Sequence, residues 1–251
     1  MATIPGGSFI ADDSNHETVG GVSGNDMFSL SHNYDMVTGK GGDDFFSSSG
    51  SHEHIEAWDG NNVILASGNH DYLSVMGGNN MVETSGSGND SIFGSDGNDT
   101  LMASGSHNML HGMMGDNYIE GGSGNDTLMG GGAGDTLVAG SGKEMLIGSS
   151  GATIFESGSG SDTMIGHSGQ DMFVFHSDGG QNVVMGFQNG DMLQLDHNMN
   201  GTGISSAEDV AQHVTDHNGS AVITLGNETI TLVGIKAEDI HNNPSGYFTI
   251  H

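Results

Sequence analysis

GGSGNDTLM at residues 121–129, followed at once by GGGAGDTLV at 130–138, sets the reading of this chain. Each nonapeptide runs through glycines to an acid and then, two places on, to an apolar residue. The same frame extends in both directions. Apolar residues fall at Val19, Phe28, Val37, Phe46, Ile55, Ile64, Leu73 and Val82, then after a one-residue slip at Ile92. The series resumes through Leu101, Leu110, Ile119, Leu128, Leu137, Leu146, Phe155, Met164 and Phe173. Two places before them stand Glu17, Asp26, Asp35, Asp44, Glu53, Asn62, Asp71, Asn80, Asp90, Asp99, Asn108, Asn117, Asp126, Asp135, Glu144, Thr153, Asp162 and Asp171. Nine residues are too few for a helical repeat and too many for simple strand alternation; they suit a short strand plus a tight turn, wound repeatedly.

The turns are glycine turns. Gly lies two places before many of the acids, and often again four or five before, where backbone with positive φ is expected. Three residues of strand follow the acid, so the apolar middle side chain faces inward and its neighbours face out. Two nonapeptides make one coil, giving a flattened all-β roll with a parallel sheet on each broad face. One edge carries Asp26, Asp44, Asn62, Asn80, Asp99, Asn117, Asp135, Thr153 and Asp171, and the opposite edge carries the rest.

Composition narrows the partners. The 251 residues hold 32 Asp and Glu against three Lys and no Arg, a net charge of −29. That balance argues against nucleic acid and anionic membranes, which need clustered basic side chains. It also opposes compaction unless cations neutralise it. Only 14% of residues are charged and the apolar positions are strictly periodic, so an acidic disordered tail does not fit. Cysteine is absent, leaving metal as the available staple. The first residues, MATIPGGSFIADD, lack the basic and apolar regions of a cleavable signal, and no stretch reaches transmembrane length.

A hard cation such as calcium takes six to eight oxygens from carboxylates, carbonyls and water. A glycine turn offers carbonyls, its acid offers a carboxylate, and stacking brings successive turns together. Asp or Asn ending an ordinary turn explains single positions, but not an acid or amide in seventeen of eighteen registers. The expected ligand-bearing turns centre on Asp26, Asp44, Asp90, Asp99, Asp126, Asp135, Glu144, Asp162 and Asp171, with Gly24, Gly42, Gly88, Gly97, Gly122, Gly124, Gly160 and Gly169. Asn62, Asn80, Asn108, Asn117 and Thr153 weaken the pattern, so a partly filled ladder of several calcium ions is expected.

GGSGNDTLM resembles the nonapeptide of the repeats-in-toxin (RTX) calcium-binding proteins, G-G-x-G-x-D-x-U-x with U apolar. The resemblance spans roughly 17–174. More loosely, GDMLQL at 190–195 and the later ITLVGIKAEDI and GYFTI segments resemble that family's uncleaved type I secretion target. The resemblance implies a right-handed parallel β-roll, calcium between turns, and export in an unfolded state followed by folding outside the cell. Residues 1–16 then read as a lead-in, 17–174 as the calcium-binding roll and 175–251 as a C-terminal cap. Within the cap, 205–214 reads as a short helix with Ser206 as N-cap, and 219–226 with 228–234 as a hairpin.

No catalytic constellation emerges. HEH at 52–54 and HETVG at 16–20 fail the HExxH spacing, and no Ser has the nucleophile-elbow glycines on both sides. His52 with His54, and His107 with His111, are candidates for a transition metal, against the simpler reading of polar outward residues. Met27, Met36, Met81, Met102, Met109, Met129, Met145 and Met172, with Phe45, Tyr72, Phe93 and Tyr118, are expected on the outer faces. The expected function is therefore a secreted, non-enzymatic calcium-binding roll with a structural or adhesive role at a surface, matrix or biofilm. Polysaccharide binding, self-assembly into a surface layer and ice binding are the alternatives; a Thr file suited to ice is missing.

Overall fold

The computed structural model describes residues 3–4 (backbone), 7–12, 14–132, 134–177 and 179–251. Two sheets of thirteen strands each face one another across a narrow core. Along the roll the first sheet contains Met27–Leu30, Phe45–Ser48, Val63–Ala66, Met81–Thr84, Thr100–Ala103, Tyr118–Glu120, Thr136–Val138, Ile154–Glu156 and Met172–Phe175. The second contains Thr18–Gly20, Met36–Gly39, His54–Ala57, Tyr72–Val75, Ser91–Phe93, Met109–His111, Thr127–Met129, Met145–Ile147 and Thr163–Ile165. Successive turns alternate between sheets, and each strand pairs in parallel with the one a full coil away, as Phe28 with Phe46 and Leu101 with Ile119. The extra residue before Ile92 is absorbed in a turn, because Ile92 still pairs with Leu73 and Leu110.

The apolar series fills the core. From Phe28 to Phe173 every member is fully buried, while Val19 at the open start is only partly covered. Phe28 stacks on Phe46 at 4.4 Å and Phe155 on Phe173 at 4.8 Å, the spacing that stacked parallel strands impose. Many strands of the first half have four residues rather than the expected three, adding a second inward residue such as Leu30, Ala57, Ala66 or Val75. Later, Gly112, Gly121, Gly130 and Gly148 hold that place and the strands stop at three.

The sheets run past both expected limits of the roll. Gly7–Ala11 already pairs in parallel with Met27–Leu30, inside the stretch read as a lead-in. Beyond 174, Gly180–Met185 and Met192–Leu195 continue the two sheets, and Phe248–Ile250 joins the latter in parallel. The nonapeptide rhythm hides this continuation because the coil lengthens to twenty residues there, as from Phe173 to Leu193.

The remainder folds onto that end. Ala207–Ala211 is helical, and the Ser206 side chain accepts the Asp209 N–H as its cap. Ser220–Leu225 and Glu228–Leu232 form the expected hairpin, closed by Gly226 and Asn227, and Val214–His217 adds an antiparallel strand outside it. A second helix, Ala237–Asn242, had no clear periodic signal. Among the described residues, no helix is long and apolar enough to cross a membrane.

Candidate calcium-binding edges

Each edge of the roll is a ladder of side chains following the glycine turns. The acid or amide of each turn is no more than 3% exposed, from Asp26 through Asp171. Except at Glu53, Glu144 and Thr153, its Oδ1 accepts the backbone N–H of the residue at the equivalent position one coil earlier. On one edge Asp26 N–H donates to Asp44 Oδ1 at 2.8 Å, Asp44 to Asn62 at 2.9 Å, Asn80 to Asp99 at 2.8 Å and Asn117 to Asp135 at 2.9 Å. On the other, Asp71 donates to Asp90 at 2.9 Å, Asn108 to Asp126 at 2.6 Å and Glu144 to Asp162 at 3.0 Å. One oxygen of each of these Asp and Asn side chains therefore completes the backbone of the stack.

The second oxygen divides the turns into two kinds. Where the residue is Asn, the amide nitrogen donates back into its own turn. Asn62 Nδ2 reaches the Trp58 carbonyl at 2.8 Å, Asn80 the Gly77 carbonyl at 3.0 Å, Asn108 the Ser104 carbonyl at 3.1 Å and Asn117 the Met114 carbonyl at 3.3 Å. An amide thus seals its turn with its own donor. A carboxylate in the same place has only acceptors to offer. Oδ2 of Asp35, Asp44, Asp71, Asp90, Asp126, Asp135, Asp162 and Asp171, and both Oε atoms of Glu53 and Glu144, are buried without a hydrogen-bond partner. None of them is in an ion pair: among the described residues the ion pairs join histidines to Asp12, Glu56, Glu156 and Asp196.

Unpaired buried carboxylates are costly unless protonated or bound to a cation. Burial pushes Asp44, Asp126 and Asp171 up to about 6, Asp71 to about 7 and Glu53 to about 8, with neighbouring acids adding to the rise at Asp44, Glu53, Asp71 and Asp171. Asp35, Asp90, Asp99 and Asp135 are also raised by burial. Glu144 and Asp162, adjacent on one edge, are both raised, first by burial.

The glycines shape the space beside these oxygens. Gly42, Gly88, Gly97, Gly124, Gly160 and Gly169 all have positive φ, between 108° and 141°. A side chain at Gly97 would meet the Gly78 carbonyl oxygen of the coil beneath at 1.8 Å, so the turns stack carbonyl over glycine. Gly42 lies in the same way over Gly24, and Gly122, with φ 78°, over Ala103. The glycine five places before an acid leaves room directly against Oδ2: a Cβ at Gly39 would stand 2.2 Å from Asp44 Oδ2, and at Gly130 2.4 Å from Asp135 Oδ2. Buried, uncompensated oxygens in a glycine cradle form an all-oxygen donor set that fits calcium.

The expected site residues do not all share this environment. Asp44, Asp90, Asp126, Asp135, Glu144, Asp162 and Asp171 have the free buried oxygen. Asp26 and Asp99 do not, because Oδ2 accepts the Val22 N–H at 2.6 Å and the Ser95 N–H at 3.2 Å. Their turns close like the asparagine turns, using backbone donors. Asp35, Glu53 and Asp71, outside the expected set, join it, although Asn33, Ser51 and Asn69 stand where other turns have a glycine two places before the acid. There the positive φ moves to the next residue, Tyr34, His52 and His70, and the carboxylates are placed alike. These rings stack with His16 along the edge at 4.5–4.9 Å. Asp191 and Asn182 occupy the same register beyond 174, accepting the N–H of Asp171 and Asp162 at 2.9 and 2.8 Å. Their spacing of twenty residues concealed them. Neither His52 with His54 nor His107 with His111 belongs to a cluster of three metal-ligating side chains among the described residues.

No curated protein matches the chain. Among solved structures it is similar to the extracellular lipase LipA from Serratia marcescens, with 18% identity, a TM-score of 0.42, and coverage of 76% of this chain. The chain spans only 39% of that lipase. Six overlapping segments, 34–64, 50–82, 84–110, 111–143, 138–173 and 147–184, match the RTX calcium-binding nonapeptide repeat and together cover more than half of the chain. With its coiled parallel sheets and its glycine–acid edges, the chain belongs to the RTX calcium-binding nonapeptide repeat family, whose repeats bind calcium at multiple sites.

Proposed function

We propose that this chain is a secreted, non-enzymatic roll that folds on meeting calcium outside the cell and then serves as a structural or adhesive element. The carrying observation is the set of buried carboxylate oxygens without partners along both edges. In calcium-poor cytosol these groups oppose folding, and in calcium-rich surroundings they favour it, which suits export as an unfolded chain. Asp44, Asp90, Asp126, Asp135, Glu144, Asp162 and Asp171 would hold the ions, joined by Asp35, Glu53 and Asp71. Bound calcium supplies the positive charge that lets these acids stay ionised inside the fold.

The adhesive part rests on one broad face. On the second sheet the outward residues Ser91, Phe93, Met109, His111, Thr127, Met129, Met145, Ile147, Thr163 and Ile165 include no Asp, Glu or Lys. The opposite sheet carries Glu83, Glu120 and Glu156 over the corresponding stretch. In a chain of net charge −29, this flat uncharged strip, about 19 Å along the axis, is where a neutral surface approaches without meeting carboxylates. The test is light scattering and adsorption to neutral polysaccharide and hydrophobic beads in calcium. Met129→Glu with Ile147→Glu should abolish any association while leaving the calcium-loaded circular dichroism unchanged. Association unaffected by both charges would reject this face.

A further inference from the structure

Where the C-terminal segment closes onto the roll, a second kind of metal-ligating chemistry comes together. Met172–Phe175, Met192–Leu195 and Phe248–Ile250 are consecutive parallel strands, with Phe175 paired to Leu195 and Leu195 to Ile250. The next residue on each strand is His176, Asp196 and His251. One register position thus carries two imidazoles and a carboxylate on three neighbouring strands, drawn from segments up to 75 residues apart. One ligand atom from each lies within 4.8 Å of the other two.

We propose that His176, Asp196 and His251 form a binding site for a borderline divalent transition metal of the zinc class, distinct from the calcium edges. The donor set is the first argument. Two imidazole nitrogens and one carboxylate oxygen match zinc and its neighbours, whereas calcium takes six to eight oxygens. Spacing is the second. His176 Nδ1 is 3.1 Å and His251 Nε2 is 3.6 Å from Asp196 Oδ1. Ligands at about 2.0–2.1 Å from a tetrahedral metal stand about 3.3 Å apart, so small movements suffice to seat an ion.

The surroundings are the third argument. A metal-bound histidine characteristically donates its other ring N–H to a carboxylate, and a ligating carboxylate is itself held by a hydrogen bond. His176 Nε2 faces Glu156 Oε1 at 3.4 Å, and Asp196 Oδ2 accepts the Ser177 N–H at 3.1 Å. Both supporting contacts leave His176 Nδ1 and Asp196 Oδ1 directed at the shared position. All three ligands are partly exposed, so an ion reaches the site from solvent. Simple imidazolium–carboxylate pairing explains each contact separately, but it does not require both rings to converge on the same oxygen. A bound metal pins the last strand, Phe248–Ile250, to the end of the roll.

The test uses the full chain folded in saturating calcium. Zinc is titrated calorimetrically, and cobalt(II) is followed by its visible absorption, in wild type, His176→Gln, His251→Gln and, as a control away from the site and from the calcium edges, exposed His217→Gln. Wild type and His217→Gln should take up an equivalent of zinc at micromolar or tighter affinity that excess calcium does not displace. His176→Gln and His251→Gln should each weaken it at least tenfold, with unchanged calcium-loaded circular dichroism. Cobalt should give the strong visible bands of a four-coordinate site in wild type, a readout that stands even if a variant fails to fold. Absence of zinc uptake by wild type, uptake undiminished in both variants, or only the weak bands of six-coordinate cobalt overturns the proposal.

Discussion

Asp126 accepts the backbone N–H of Asn108 through Oδ1 at 2.6 Å and leaves Oδ2 buried with no partner. One carboxylate thus has two duties: it closes the stack beneath it and presents an oxygen that only a proton or a cation can satisfy. Asp126→Ala removes both. The variant should bind at least one calcium ion fewer than wild type, counted by equilibrium dialysis or calorimetry, and should need more calcium to fold. An unchanged ion count would sink this assignment.

Asn80 is the reverse case. Its amide donates to the Gly77 carbonyl at 3.0 Å and to Asp99 Oδ1 at 2.9 Å. Asn80→Asp replaces that donor with an acceptor at nearly the same volume. It should raise the calcium concentration at the folding midpoint severalfold and add demand for an ion at that turn. If the midpoint stays put, the amide is not substituting for a cation.

The buried acids also give the calcium-free protein a pH dependence of definite sign. Their folded-state values are raised, to about 6 for Asp44, Asp126 and Asp171, about 7 for Asp71 and about 8 for Glu53. Unfolded carboxylates titrate near about 4, so between these limits the folded chain binds more protons than the unfolded one. Stability in chelator is then full below about pH 4 and is lost as pH rises through the 6–8 range. Far-ultraviolet circular dichroism in chelator should show β structure at about pH 4 and coil at about pH 8. Greater order at the higher pH would contradict the account.

Apolar burial supplies the part of stability that calcium does not. Phe155 is fully buried and stacks on Phe173 at 4.8 Å. Phe155→Ala should cost about 3–5 kcal/mol in urea unfolding at saturating calcium, with the ion count unchanged. A loss below about 1 kcal/mol would mean that the ions, not the core, hold this section.

The coil, the parallel sheets and the assignment of each acid to its edge were legible in the sequence because one period governs them all. Phe28, Leu101 and Phe155 could be placed inside from spacing alone. What spacing does not reveal is where the second oxygen of each side chain points. Asp26 and Asp99 carry the motif as well as Asp126 does, yet a backbone N–H from Val22 or Ser95 reaches them first. Asp35, Glu53 and Asp71 lack the glycine two places earlier, but Tyr34, His52 and His70 adopt a positive φ instead. Asp191 and Asn182 were hidden by the two residues added to each of their coils. The convergence of His176, Asp196 and His251 depends on the last strand returning to the roll, which no local pattern announces.

The most direct test of the central claim, that calcium on the buried edge carboxylates drives folding, is circular dichroism through a calcium titration at about pH 8. The account predicts coil in chelator and a cooperative rise of β signal near millimolar calcium, the range of weak extracellular sites. A chain already showing its full β spectrum in chelator at that pH would contradict it.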